Sequence, residues 1–150
     1  MADARDYLGK HISEICGNGY TDDSLNHCAH FVSHALGLAV GYTCKAQTSG
    51  KAEGACIRVH ELFRYCKTVG KFADRPSGAT STVLAFITNP SNVDTASKMM
   101  VNHPRKHVGI VVGDVVVHYS NTKDKVVEQS FADFGKHYAA PFNGLFFGTV

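Results

Sequence analysis

The segment His107-Val-Gly-Ile-Val-Val-Gly-Asp-Val-Val-Val-His-Tyr119 constrains the fold of this chain more than any other. Two β-branched runs flank Gly113-Asp114, a pair that supplies the positive φ a tight two-residue hairpin turn needs. The turn sets the register. Val112 faces Val115, so Gly109 faces His118 and His107 faces Ser120. Side chains alternate along a strand, which puts His107, Gly109 and Val111 on one sheet face with Val116, His118 and Ser120. His107 and His118 are then diagonal neighbours, roughly 7–8 Å apart at the backbone, with no side chain on Gly109 between them. Asn121 falls on the opposite face in this register, and a slip of one residue would reverse that.

Helical periodicity dominates the first half of the chain. Tyr7, Leu8, Ile12 and Ile15 predict a helix over 4–16 that ends at Gly17-Asn-Gly19. Phe31, Val32, Ala35 and Leu36 predict a second over 26–36, with Gly37 as its C-terminal cap. A third, over 57–68, carries Val59, Leu62, Phe63 and Cys66 on one face and is closed by Gly70. Residues 41–56 read as a long polar loop, and 91–104 as a surface excursion with a short helical piece. Beyond Pro76 the pattern turns extended. Residues 82–88 predict a buried strand stopped by Asn89-Pro90, and Val126-Val127 extend the sheet. Ser130 caps a short helix to Gly135, and residues 144–150 form a terminal strand. Helices first and antiparallel strands second predict an α+β fold, with residues 1–150 as one domain.

Composition removes several classes of function. Apolar residues at 44% exclude a disordered chain, and a net charge of +2 spread over scattered basic residues predicts no nucleic-acid partner. No run approaches the ~18 apolar residues of a membrane span, so no membrane partner is expected. The N-terminal residues carry no secretory leader, which predicts a protein cytoplasmic as made.

Chemistry is expected at the start of the second helix, Asn26-His27-Cys28-Ala29-His30-Phe31-Val32. A cysteine in a first turn meets unpaired N–H groups and the positive end of the dipole, which lower a thiol pKa. Cys28 as nucleophile, His107 as base and His118 as the group that orients it make a Cys-His-His relay. His27, His30 and His34 recur at helical spacing, but one helix rarely supplies a full ligand set, so no metal and no cofactor is expected. His11, His60, His103 and His137 read as ordinary histidines, and Cys16 and Cys66 as core residues. Five cysteines without a Cys-x-x-Cys argue against a zinc ribbon and leave at least one thiol unpaired. Cys44 and Cys56 flank the 41–56 loop and are candidates to pair across it.

Cys-Ala-His-Phe-Val at 28–32, His-Val-Gly-Ile-Val-Val-Gly at 107–113 and a further histidine at 118 together resemble the NlpC/P60 and CHAP amidases. These are papain-like cysteine hydrolases that act mostly on bacterial cell-wall peptides. The resemblance covers residues 26–37 and 82–120 and assigns Cys28, His107 and His118 in order. It implies a papain-like fold, a peptidoglycan stem peptide as substrate and a cleft to which Tyr20, His30 and Ser120 contribute, with the Cys28 backbone N–H as oxyanion donor. His30 stands where the family usually has glycine, which implies an altered cleft wall. The Asn-Cys-x-His-Phe-Val box of lecithin:retinol acyltransferase-like proteins is also similar, but there the histidine precedes the cysteine. A leaderless wall amidase implies delivery to a periplasm or extracellular space, as a monomeric antibacterial effector with an immunity or inhibitor protein as partner. Two alternatives remain: a thiol acyltransferase or deamidase acting on a protein or lipid, and a catalytically silent binding module.

Overall fold

The β-branched runs pair as the turn chemistry requires. The computed structural model describes residues 3–77 and 81–150. Its helices are α1 Cys28–Leu36, α2 Cys44–Thr48, α3 Val59–Tyr65 and α4 Phe131–Phe134. Its strands are β1 Val69–Lys71, β2 Val83–Thr88, β3 Val93–Asp94, β4 Met99–Met100, β5 His107–Val112, β6 Val115–Ser120, β7 Lys125–Ser130 and β8 Gly144–Thr149. Six strands form one antiparallel sheet in the order β1-β8-β2-β5-β6-β7, and β3 pairs β4 separately. The expected α+β class holds. Among the described residues no helix is long and apolar enough to cross a membrane.

Both faces of the sheet are covered, which is why all six residues of β2 are buried and apolar save Thr88. On one face Leu84, Phe86, Val108, Ile110, Val117 and Tyr119 pack with Phe31 and Val32 of α1 and Phe63 of α3. On the other, Ala85, Ile87, Val116 and Phe147 pack with Phe72 and with Phe134 of α4. The hairpin register is the expected one, with Val112 opposite Val115 and Ile110 opposite Val117. The β5–β6 ladder stops there: residues 107–109 pair only with β2, and 118–120 only with β7.

Tertiary contacts redraw the N-terminal half. The helix expected over 4–16 is replaced by two 3-10 turns, Ala4–Tyr7 and Ile12–Glu14. Between them Gly9 takes φ +82°, its N–H donates to the Val126 carbonyl (2.9 Å), and the Val126 N–H donates to the Lys10 carbonyl (3.0 Å). Docking along β7 breaks what periodicity alone would have continued. Helix α3 ends at Tyr65 and Gly70 lies within β1, opposite Phe147, because the edge strand captures the segment. The 41–56 loop contains α2, capped by Thr43 Oγ1 accepting the Ala46 N–H (3.2 Å). Gly37 (φ +69°) caps α1 and Ser130 caps α4, both as expected.

Gly109 is where the hairpin tolerates nothing larger. A Cβ there would stand 2.5 Å from Val116 Cγ1 and 2.9 Å from His118 Cβ. Gly109→Ala is therefore expected to destabilise the protein by about 1–3 kcal/mol through overpacking, read as a lower denaturant midpoint.

Candidate active site

Helix α1 is buried on nearly every side, from Cys28 through Ser33 without interruption. At about 100° per residue, Cys28, Phe31, Val32 and Ala35 share the face turned to the sheet, and His27, His30 and His34 share another. The N-terminus of α1 is tied down by two asparagines. Asn26 Oδ1 accepts the Cys28 N–H (3.0 Å) and a hydrogen bond from Asn121 Nδ2 (2.9 Å), while Asn121 Oδ1 accepts the His27 N–H (3.1 Å). This clamp joins α1 to the end of β6, so Asn121 holds the helix start and stands apart from the histidine pair.

His107 opens β5 opposite Ile87, on the sheet face that carries α4. His118 and Gln129 follow on the same face by strand alternation. His118 Nε2 lies 2.6 Å from Gln129 Oε1, and His118 Nδ1 lies 2.8 Å from His107 Nε2. An amide oxygen only accepts, so His118 carries its proton on Nε2 and presents a lone pair at Nδ1. His107 then donates from Nε2, and its Nδ1 is left as a lone pair. That nitrogen is buried and has no hydrogen-bond partner. The geometry expected of His107 and His118 is present, and Gln129 completes it. Sequence reasoning missed Gln129, although a register carried one strand further would have placed it diagonally to His118.

Cys28 packs in the core on the α1 side of the sheet, opposite the face that carries His107. The N–H groups of Val108 and Ala29 face its sulfur, and no hydrogen bond joins it to His107. Burial pushes the thiol up to about 11, outweighing those N–H groups and the Lys106 charge. The expectation of a thiol lowered by the helix terminus is corrected: Cys28 is 1% exposed, and desolvation outweighs the dipole. Burial likewise holds His107 well below its ordinary range and His118 down at about 4. The thiol and both rings are neutral at rest.

A cover lies over the His107 ring. His137 stacks on His107, with ring centroids 4.0 Å apart and planes at 14°, and the Tyr138 hydroxyl donates to the Lys106 carbonyl (3.3 Å). His137, expected to be an ordinary histidine, belongs to this site because the turn after α4 folds back onto β5. Two clefts of about 730 and 830 Å³ lie elsewhere, one at Arg75, Val83 and Val112, the other at Phe72, Phe131 and Leu145. Neither is lined by Cys28, His107 or His118.

The three weaker cleft assignments are corrected. Ser120 Oγ accepts the Lys123 N–H (3.2 Å) and serves the β6–β7 turn. Tyr20 packs edge-on against the His27 and His30 rings, on the other side of α1 from the sheet. His30 is fully buried on that same side, two residues and about 200° round the helix from Cys28, so it walls no cleft there. His27 does not join a ligand triad, since its Nε2–H donates to the Asp22 carbonyl (2.8 Å). His30 and His34 instead meet Cys16 and Cys44, their ligand atoms all within 4.8 Å of one another. This Cys-His-His-Cys group can hold a metal, which a search confined to one helix could not show. The Cys44–Cys56 pairing is also corrected: all five cysteines are free thiols, and Cys56 Sγ turns to the Arg58 carbonyl (3.5 Å).

No protein-family model matches the chain, and no curated protein or solved structure matches it.

Two outcomes test this geometry. The unfolded chain takes up a proton on His118 near the ordinary 6.5, whereas the folded chain resists until about 4. More protons are bound unfolded across that window, so stability is full above it and falls on acidification, by on the order of 3 kcal/mol from this ring alone. Urea midpoints measured across the same window should show this slope, reduced in His118→Gln. Removing the cover with Tyr138→Ala should speed modification of Cys28 by a small thiol reagent at least several-fold, read by mass spectrometry of the labelled peptide.

Proposed function

We propose that this protein is a cysteine-dependent amide hydrolase of papain-like, NlpC/P60 type, acting on stem-peptide bonds of peptidoglycan. The observation that carries the reading is the buried, unpartnered Nδ1 of His107, held as a lone pair by Gln129 through His118. A nitrogen so prepared is a general base lacking only its substrate proton. The substrate class rests on the likeness of residues 28–32 and 107–113 to that family.

The proposed reaction uses these groups in turn. His107 Nδ1 takes the proton of Cys28 as the sulfur attacks the amide carbonyl, so charge separates only during attack and never in the resting protein. Carbon–sulfur bond formation leaves a tetrahedral oxyanion. Two donors, the Cys28 N–H and Asn121 Nδ2, already converge on one oxygen, Asn26 Oδ1, and that oxygen marks the position of the oxyanion. Asn26 is exposed, so its side chain is free to yield the place to substrate. His107 then returns its proton to the leaving amine, and water, deprotonated by the same nitrogen, cleaves the thioester. His118 and Gln129 orient the base without touching substrate. Movement of the 136–142 segment opens the way to the sulfur.

A silent binding module is the second reading, favoured by the 1% exposure of Cys28. Digestion of purified sacculi separates the two. Wild type should release stem peptides, and Cys28→Ala and His107→Ala should abolish release with the fold retained. Hydrolysis by Cys28→Ala would overturn the assignment. Asn121→Ala should lower kcat by roughly 10²–10³ if its amide serves the oxyanion, and His118→Ala should cost less than either abolishing change.

A further inference from the structure

The histidine face of α1 poses a problem that the hydrolase reading leaves untouched. His30 is fully buried, yet its Nε2 has no hydrogen-bond partner. The protons around it are dictated step by step. The Asp22 carbonyl accepts from His27 Nε2, so a neutral His27 offers a lone pair at Nδ1. His30 Nδ1 lies 3.1 Å from that lone pair and donates to it. His30 Nε2 is therefore a bare lone pair, buried and without a hydrogen-bond partner. A buried acceptor left so costs free energy of about 1–3 kcal/mol.

What surrounds that lone pair is a ligand set. Cys16, His30, His34 and Cys44 each offer one ligand atom, all within 4.8 Å of one another, and His34 Nε2 stands 3.7 Å from Cys44 Sγ. Zinc bonds of about 2.3 Å to sulfur and 2.0–2.1 Å to nitrogen place tetrahedral donors roughly 3.3–3.8 Å apart. Closing the group around an ion thus needs side-chain shifts of no more than about an ångström. We infer that Cys16, His30, His34 and Cys44 form a tetrahedral Cys2His2 site for a structural Zn(II) ion.

The surroundings suit two thiolates. The Asn18 backbone N–H donates to Cys16 Sγ (3.4 Å), Asn18 Nδ2 donates to Cys44 Sγ (3.5 Å), and the Tyr20 N–H also faces Cys16. Asn18 is itself buried and its amide is anchored to the Glu53 carbonyl and the Ala52 N–H. His27 plays the orienting part for His30 that outer-sphere partners play for metal-bound imidazoles. Two thiolates neutralise a divalent cation, so the filled site buries no net charge. His30 and His34 sit one helical turn apart, a spacing that presents two imidazoles to one ion. The ion joins three stretches of chain: the N-terminal segment through Cys16, α1 through its histidines, and α2 through Cys44. It pins the outer side of α1, whose sheet side carries Cys28.

The test is metal content of the whole chain, produced with zinc in the medium and purified reduced without chelators. About one zinc per chain is expected by elemental analysis and native mass spectrometry. Cobalt(II) exchanged into the site should give the intense visible bands of a tetrahedral ion with thiolate charge transfer. Cys44→Ser and His34→Gln should each lose at least ten-fold in zinc affinity against a chromophoric chelator, while Cys28→Ala and Cys66→Ala keep full metal. Chelation should lower Tm. The inference is overturned by a zinc-supplied wild type that holds less than about a tenth of an equivalent, or by a weak octahedral cobalt spectrum. It is equally overturned by a metal-free chain two hydrogens lighter with Cys16 and Cys44 joined as a disulfide. Should a ligand variant fail to fold, the wild-type cobalt spectrum decides alone. Since Cys28→Ala retains the ion, an inactive hydrolase and an absent metal are separate results.

Discussion

Sinking α1 into the molecule strips its polar side chains of water, and each then requires a partner from elsewhere in the fold. Hydrophobic residues meet that demand on one side: Phe31, Val32 and Ala35 lie against the sheet. The rest of the helix carries a thiol, two histidines and a serine, with His27 at its N-cap, none of which is satisfied by aliphatic neighbours. Much of the remaining architecture can be understood as supplying those partners. Asn26 and Asn121 cap the helix start, the Asp22 carbonyl takes the proton of His27, and Cys16 and Cys44 close on His30 and His34. The broken N-terminal segment makes sense in this light. A continuous helix over 4–16 could not place Gly9 on β7 and also return Cys16 to the histidines.

The same device is used twice. An oxygen that can only accept settles the tautomer of one histidine, which settles the tautomer of the next, and the second ring ends in a bare lone pair. Gln129, His118 and His107 form one chain, and Asp22, His27 and His30 the other. Burial keeps all four rings neutral, since a cation in so little water is disfavoured. The two lone pairs differ in what stands opposite. His107 faces no donor, and its ring is covered by the stacked His137. His30 faces two thiols and a third imidazole, an arrangement fit for an ion.

Burial also sets the terms on which Cys28 can react. A thiol held near 11 is no resting nucleophile, so any chemistry needs the proton to move as the bond forms, with the cover of His137 and Tyr138 displaced.

The hairpin from His107 to Tyr119, the cap at Gly37, the strand expected over 82–88 and found over 83–88, and the capped turn at Ser130 were legible in the residues alone. Each depends on backbone preference and alternation within a few residues, which act before any long-range contact forms. From the hairpin register alone, His107 and His118 could be put side by side. Only the folded chain decided that Gln129 orients them, that Ser120 serves a turn and that His137 stacks on the site, because these are relations between elements whose packing no local preference encodes. The fate of the cysteines was likewise beyond local reading. Cys16 and Cys44 lie far from His30 and His34 in the chain, and their convergence is a product of how α2 and the N-terminal turns dock, which is set by burial summed over the whole molecule.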